Sequence, residues 1–281
     1  MPRTEFDGAM NYRKPSGRFY LDHLVKFCLL INVSILPCLL TVDHALGETI
    51  AVTLCRDSNA AKEESTISNS EKKPSMPDDG EVKAIEQKLS DLGYDPGEVD
   101  GIPDSLFECA LIAFQKMNGL KKNGMITPEV LMALENPIQP RPAENHDGIH
   151  SEADLKRQVM TVYRNSDILR ILPISSGSGE SYEDLEGGIG IAKTPIGNFD
   201  FFAHSWGIHK DHLGELFNPV FFHVDGYAVH GDLFVPSYPA SHGCIRIPIK
   251  DSEWFVKTVP LGSPLLVSKT ALPYVRSGLN Y

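Results

Sequence analysis

The sequence predicts a multidomain chain in which a small three-helix module precedes a mostly-β domain. Three observations carry this reading. Apolar residues recur at helical spacing between residues 81 and 136, they change to period two beyond residue 150, and a Pro-rich stretch separates the two patterns. A chain of 281 residues with 42% hydrophobic and 22% charged side chains is long and apolar enough to bury a substantial core.

Residues 1–47 read as an export leader. The apolar run 27–42 is broken by Asn32, Ser34 and Pro37 and falls short of the ~20 residues that cross a bilayer comfortably. Arg13, Lys14, Arg18 and Lys26 precede it, and Ala45-Leu46-Gly47 follows with the small-x-small pattern of a cleavage site. A signal anchor that stays uncleaved and a buried core helix are the alternatives. Residues 48–80 are polar, small and charged without apolar periodicity, which predicts a flexible linker.

In residues 81–136, Val82, Ile85, Leu89 and Leu92 share one helical face that ends at Gly93. Tyr94-Asp95-Pro96-Gly97 is turn chemistry. A second helix is expected from about Ser105 to Asn118, with Ala110, Leu111 and Phe114 inward and Gly119 as its stop. Thr127 and Pro128 open a third, with Val130, Leu131 and Leu134 facing in. Leu92-Gly93-Tyr94-Asp95-Pro96-Gly97, Val99-Asp100-Gly101, Ala113-Phe114-Gln115 and Asn118-Gly119-Leu120 together resemble the small helical peptidoglycan-binding domain family. The chain departs from that pattern at Phe107, where a Thr usually opens the second helix.

Residues 137–149 are expected to be a Pro-rich, semi-rigid linker. The β-domain, residues 150–270, opens with strands at 155–163 and 168–174 joined by Arg164-Asn165-Ser166-Asp167. Further strands are expected at 199–202, 220–224 and 227–230, the last two joined by Asp225-Gly226. A short helix at 250–258, a closing strand at 265–267 and a tail at 271–281 complete the chain.

The charge balance is 26 Lys and Arg against 37 Asp and Glu, and no basic block appears, which excludes nucleic acid as a partner. Five cysteines are too few for a disulfide scaffold; Cys55 and Cys109 could pair in an oxidising compartment, but no spacing rule supports that, and Cys109 reads rather as a core residue of the second helix. Gly187-Gly188-Ile189-Gly190-Ile191-Ala192-Lys193-Thr194 resembles a phosphate loop but has Ala192 where Gly must precede Lys. His209 and His212 lack the pattern of a zinc site. No metal and no cofactor are expected.

The chemistry lies in Tyr227-Ala228-Val229-His230-Gly231-Asp232 and Ser241-His242-Gly243-Cys244-Ile245-Arg246. A thiolate attacks a carbonyl well and a thiol does not, so a nucleophilic Cys244 needs a base such as His230 within reach. Gly243 lets a substrate carbonyl approach, and the amides of Gly243 and Cys244 could hold the oxyanion. These residues resemble the signature of the L,D-transpeptidase catalytic (YkuD-type) family. Thr194-Pro195-Ile196-Gly197-Asn198-Phe199, Leu216-Phe217-Asn218-Pro219-Val220-Phe221-Phe222 and Gly262-Ser263-Pro264-Leu265 support the match.

The resemblance implies acyl transfer on peptidoglycan stem peptides, with Cys244 as nucleophile, His230 as base and Gly231 orienting His230 through its carbonyl. His242 and Gly243 would shape the oxyanion site, and Ser241 and Arg246 would contact substrate, Arg246 being equally suited to pairing with Asp251. Asp232 stands where the family more often has a small or hydroxylated residue, and a carboxylate there favours a protonated His230. The expected partners are stem peptides, glycan strands and, as acceptor, another stem peptide or a wall-anchored protein. An exported protein of the periplasm or cell wall fits this organisation. A Cys-dependent L,D-carboxypeptidase and a non-catalytic peptidoglycan-binding protein are the competing readings.

Overall fold

The computed structural model describes Cys55 and residues 78–183, 187–211 and 214–276. The expected leader lies outside the described residues, as does most of the expected 48–80 linker. Among the described residues no helix is long and apolar enough to cross a membrane.

Three helices form first, each with its capping chemistry in place. Helix α1 (Asp79–Asp91) starts in a capping box, in which Asp78 accepts from the Glu81 amide and Glu81 accepts from the Asp78 amide. Helix α2 (Ser105–Asn118) is capped by Asp104, whose carboxylate accepts from the amides of Leu106 and Phe107, and it stops at Gly119 with φ 69°. Phe107, where the chain departs from the family pattern, is buried in the core. Helix α3 (Pro128–Glu135) begins at the predicted Thr127 and Pro128. Leu131 departs from the expectation: Val130 and Leu134 are buried, but Leu131 is 46% exposed. Only eight residues long, α3 has a narrow inward stripe, and Leu131 lies at its edge.

The rest is mostly β. Strands β1 (Ile138–Pro140), β2 (Ile149–Asp154), β3 (Val159–Arg164), β4 (Asp167–Pro173), β5 (Ser181–Glu183), β6 (Ile189–Ile191) and β7 (Gly197–Asp200) come first. β8 (Ala203–His204), β9 (Ile208–Asp211), β10 (Gly214–Phe221), β11 (Ala228–Asp232) and β12 (Ile245–Pro248) follow. Helix α4 (Ile249–Thr258), β13 (Pro264–Ser268) and β14 (Tyr274–Arg276) end the described chain. One five-stranded sheet has the order β4-β3-β2-β13-β7; the other runs β12-β11-β10-β8, with β9 also on β10. Both sheets and α4 share one core that includes Met160, Leu172, Phe201, Phe222, Val229, Ile245, Ile247 and Phe255. Burying each such side chain contributes about 1.5–3 kcal/mol.

Several boundaries differ from the sequence reading. The strand expected at 155–163 starts at Val159, because residues 155–158 form the turn after β2. β2 itself, Ile-His-Ser-Glu-Ala-Asp, is too polar to be read as a buried strand. Only some of its polar atoms find partners: Asp154 accepts from Arg157 and from the Leu272 amide, and Glu152 Oε1 accepts from the Ala143 amide. Both ring nitrogens of His150, Ser151 Oγ and Glu152 Oε2 are buried without a hydrogen-bond partner among the described residues. The expected linker contains β1 and the expected tail contains β14, and these two strands pair with each other.

The helical module is docked against the β-domain. Ile168 and Ile171 of β4 pack into the module's own core. Gly93 is required there twice: its φ is +91°, and a Cβ would lie 2.7 Å from Ile168 Cγ2. Its carbonyl accepts from the Ile171 amide. Arg170 of β4 binds Asp95 of the module at 2.5 Å and Asp251 of α4 at 3.0 Å, with its guanidinium 4.2 Å above the Trp254 ring. Arg170, not Arg246, is therefore the partner of Asp251. Cys55 and Cys109 form a disulfide with Cα atoms 5.4 Å apart, buried with Ile112 of α2 and Val235 of the β-domain. Core residue and disulfide partner, the two readings of Cys109, hold at once. Cys55, within the expected flexible linker, is fixed to α2.

Two outcomes follow. The Cys55→Ala, Cys109→Ala double variant should lose roughly 2–4 kcal/mol of stability in denaturant titration, since the disulfide closes a 54-residue separation. Burial raises the Asp251 carboxyl from 3.8 to about 7, with Arg170 opposing the shift. A folded state that holds this proton more tightly than the unfolded chain loses the corresponding stability as pH rises from about 4 to about 7. Asp251→Asn should flatten that part of the stability–pH profile; parallel profiles would show that Asp251 contributes nothing to it.

Candidate active site

β11 and β12 lie parallel, with Val229 level with Ile245, His230 with Arg246 and Gly231 with Ile247. Side chains alternate along each strand, so one face carries Val229, Ile245 and Ile247, all fully buried in the core. The opposite face carries His230, Asp232 and Arg246, with Cys244 two residues ahead of Arg246. All four line one cavity of about 390 Å³, together with Tyr182, Glu215, Asp225, Tyr227, His242 and Gly243.

His230 is buried, and its Nδ1 lies 2.9 Å from the Gly231 carbonyl oxygen. A carbonyl can only accept, so Nδ1 carries the proton and Nε2 is the basic nitrogen. Gly231 leaves no room for a side chain: a Cβ would lie 2.5 Å from Ser252 Oγ and 3.0 Å from Ile249 Cα. Ser252 is held by its bond to the Ile249 carbonyl and by the Asn218 amide group at 3.1 Å. Asn218 itself sits in a bulge of β10 with φ 49°. Helix α4 and the bulge thus brace the residue that orients His230.

Residues 241–244 form a tight turn before β12. Ser241 Oγ donates to the Cys244 carbonyl at 2.6 Å and accepts from the Gly243 amide at 3.0 Å. Ser241, expected to contact substrate, is 97% buried and spends its hydroxyl inside the turn. The Gly243 amide, expected to hold an oxyanion, already donates to Ser241. Thr194 Oγ1 donates to the Gly243 carbonyl at 2.8 Å and accepts from the Gly177 amide. Gly243 has φ +148°, and a Cβ on it would overlap the Tyr227 ring. Burial, followed by Tyr182, Asp225 and Cys244, raises the Tyr227 phenol, which keeps it protonated.

Cys244 is half-buried and, among the described residues, is the one cysteine outside a disulfide. His242 is exposed and packs edge-on against Tyr182 at 5.0 Å. The Asp232 carboxylate has defined partners: Oδ2 binds Arg246 Nε at 3.1 Å and Oδ1 accepts from the Phe234 amide at 2.8 Å. Arg246 thus meets the charge of Asp232.

A family model for the L,D-transpeptidase catalytic domain matches residues 149–267, and one for the peptidoglycan binding domain matches residues 78–134. The L,D-transpeptidase of Xylanimonas cellulosilytica is 34% identical over 70% of this chain and 100% of that chain, with a TM-score of 0.64. The chain belongs to the L,D-transpeptidase family. The L,D-transpeptidase of Stackebrandtia nassauensis is 19% identical over 68% of this chain and 92% of its own, with a TM-score of 0.41. That of Mycobacterium smegmatis is 22% identical over 43% and 58%, with a TM-score of 0.35. No curated protein matches the chain.

The transpeptidase domain brings His230, Asp232, Ser241, His242, Gly243, Cys244 and Arg246 around one cavity, with Gly231 behind His230. Sequence reasoning missed Tyr182, Glu215 and the pairing of Asp232 with Arg246. Tyr182 and Glu215 stand in no motif, and the ion pair depends on a strand register that spacing does not reveal. His209 packs on Phe221 instead, and His212 lies outside the described residues. Gly243→Ala should lower kcat by at least ~100-fold in a folded protein, because it displaces the turn carrying Cys244. A variant with wild-type turnover and an unchanged circular dichroism spectrum would contradict this account of Gly243.

Proposed function

We propose that the protein is a peptidoglycan L,D-transpeptidase that works through a thioester on Cys244. The observation carrying the reading is the shared face of β11 and β12, which turns Cys244 and an oriented His230 into one cavity. In this reading His230 Nε2 takes the Cys244 proton, and the thiolate attacks the carbonyl of the L-centred bond preceding a terminal D-Ala. As the C–N bond breaks, the imidazolium returns the proton to the departing amine and D-Ala leaves. An acceptor amine then attacks the thioester, His230 takes its proton, and the thiolate departs as the new amide forms.

In this reading the oxyanion donor comes from the backbone of the 241–244 turn, in which the Gly243 amide is engaged by Ser241. Glu215, Asp225 and Asp232 line the cavity, Glu215 paired with Lys210 and Asp232 with Arg246, and in this reading they meet an acceptor that arrives as an ammonium. Arg246, held by Asp232, is placed to meet a substrate carboxylate from the same wall. The helical module would bind glycan strands at its groove of about 200 Å³, where Ile85, Ile126, Leu131 and Leu134 lie beside the Lys88–Glu135 ion pair. The Cys55–Cys109 disulfide supports export to an oxidising compartment.

Purified protein with disaccharide-tetrapeptide should give cross-linked dimers and free D-Ala by mass spectrometry, and Cys244→Ala should give neither while remaining folded. Tripeptide without dimer would replace transfer by hydrolysis. Turnover by the Ala variant would remove Cys244 as nucleophile, and binding to the wall polymer without any turnover would leave a binding protein.

A further inference from the structure

The catalytic turn is held from behind by residues 174–178, the stretch that continues β4 toward β5. Ser175 exchanges two backbone hydrogen bonds with Arg246, each 3.0 Å. Its hydroxyl donates to the Tyr238 carbonyl at 2.8 Å. The Ser176 carbonyl accepts from the amides of Ala240 and Ser241, both at 2.9 Å, and the Ser178 amide donates to the Ser241 carbonyl. The Gly177 amide reaches Thr194 Oγ1, which in turn holds the Gly243 carbonyl. Four residues, Ser175 to Ser178, thus fix both ends of the turn that carries Cys244.

What fixes this stretch itself comes partly from the helical module. Lys116 of α2 is 97% buried, and its ammonium donates to the Ile174 carbonyl at 2.9 Å, where the stretch begins. Two further contacts run from the module to the catalytic loop. Lys122 Nζ lies 3.4 Å from the Ser237 carbonyl, and Val235 packs with Cys55, Cys109 and Ile112. Burying an ammonium is costly unless its hydrogen bonds are satisfied, and Lys116 is placed where its charge-assisted bond meets the frame of the turn.

We propose that helix α2 is part of the catalytic apparatus and that Lys116 is a positioning residue, setting the 241–244 turn through Ile174 and residues 175–178. The inference rests on the reading of Cys244 as nucleophile. It gives the helical module a task within the reaction, besides any contact with the wall polymer. Substrate binding, which involves the cavity surface, is left largely intact when such a residue is lost; alignment of the nucleophile is not.

The test uses the full chain and soluble disaccharide-tetrapeptide, so that affinity for the insoluble polymer plays no part. Lys116→Met should lower kcat about 10-fold or more with KM within two-fold of wild type, measured well below the melting midpoint of each protein. Lys116→Arg, which keeps a buried donor, should recover most of the lost rate. A kcat for Lys116→Met within two-fold of wild type would overturn the proposal, as would equal losses in the Met and Arg variants. Should Lys116→Met not fold, Lys122→Met decides: a several-fold fall in kcat at constant KM supports positioning from the module, and wild-type kinetics refutes it. Cys244→Ala run in parallel separates the two readings. Turnover by that variant would sink the nucleophile assignment, whereas an inactive Cys244→Ala beside a normal Lys116→Met sinks only the role of Lys116.

Discussion

Pairing β11 with β12 in parallel places His230 level with Arg246, and a slip of one residue would turn the imidazole into the hydrophobic core and Val229 into the cavity. The register is secured from both faces. Val229, Ile245 and Ile247 are completely buried on one side, so no other alignment keeps them from water. On the other side Asp232 and Arg246 pair only when the strands meet as they do. Parallel neighbours need a long connection, and residues 233–244 supply it, delivering Cys244 at the entrance to β12. The chemistry of the domain is therefore a product of strand alignment, with loops contributing the details.

Much of this was legible beforehand, and the limits have physical causes. Caps and stops announce themselves through single residues, so Thr127, Pro128, Gly93 and Gly119 mark helix ends that the structure reproduces. The cysteine and histidine segments were legible because Gly231 and Gly243 are required by close approach of Ser252 and Tyr227. β2 was not, since hydropathy cannot foresee that a strand of His, Ser, Glu and Asp will be buried at the centre of a sheet. Nor can spacing reveal long-range partners: Arg170 with Asp251, Arg246 with Asp232 and Cys55 with Cys109 are separated by 81, 14 and 54 positions. Those pairings arise from tertiary contact alone.

Charge is handled differently in the Asp232–Arg246 pair and in the Arg170–Asp251 pair. Near the active site, Asp232 and Arg246 retain some exposure, which keeps their solvation cost modest. At the seam with the helical module, Asp251 is buried with Arg170, and the cost is visible as a carboxyl raised to about 7. Asp95 and the Trp254 ring add to the hold on the Arg170 guanidinium. A seam built from such directional contacts resists sliding in a way that an apolar patch does not, and Ile168 and Ile171 supply the apolar part beside it.

The disulfide also determines how the molecule bears mechanical load. Tension entering along the chain from ahead of residue 55 crosses to Cys109 and passes into the middle of α2, bypassing everything from residue 56 to residue 108. Helix α1 and the turns after it are thereby shielded, because a covalent bond carries the force around them. The load arrives instead at Ile112 and Val235, packed against the disulfide, and at the helix whose Lys116 grips the back of the catalytic turn. Cys109, where the disulfide enters the helix, and Lys116, which donates to the Ile174 carbonyl, are thus separated by about two turns of α2.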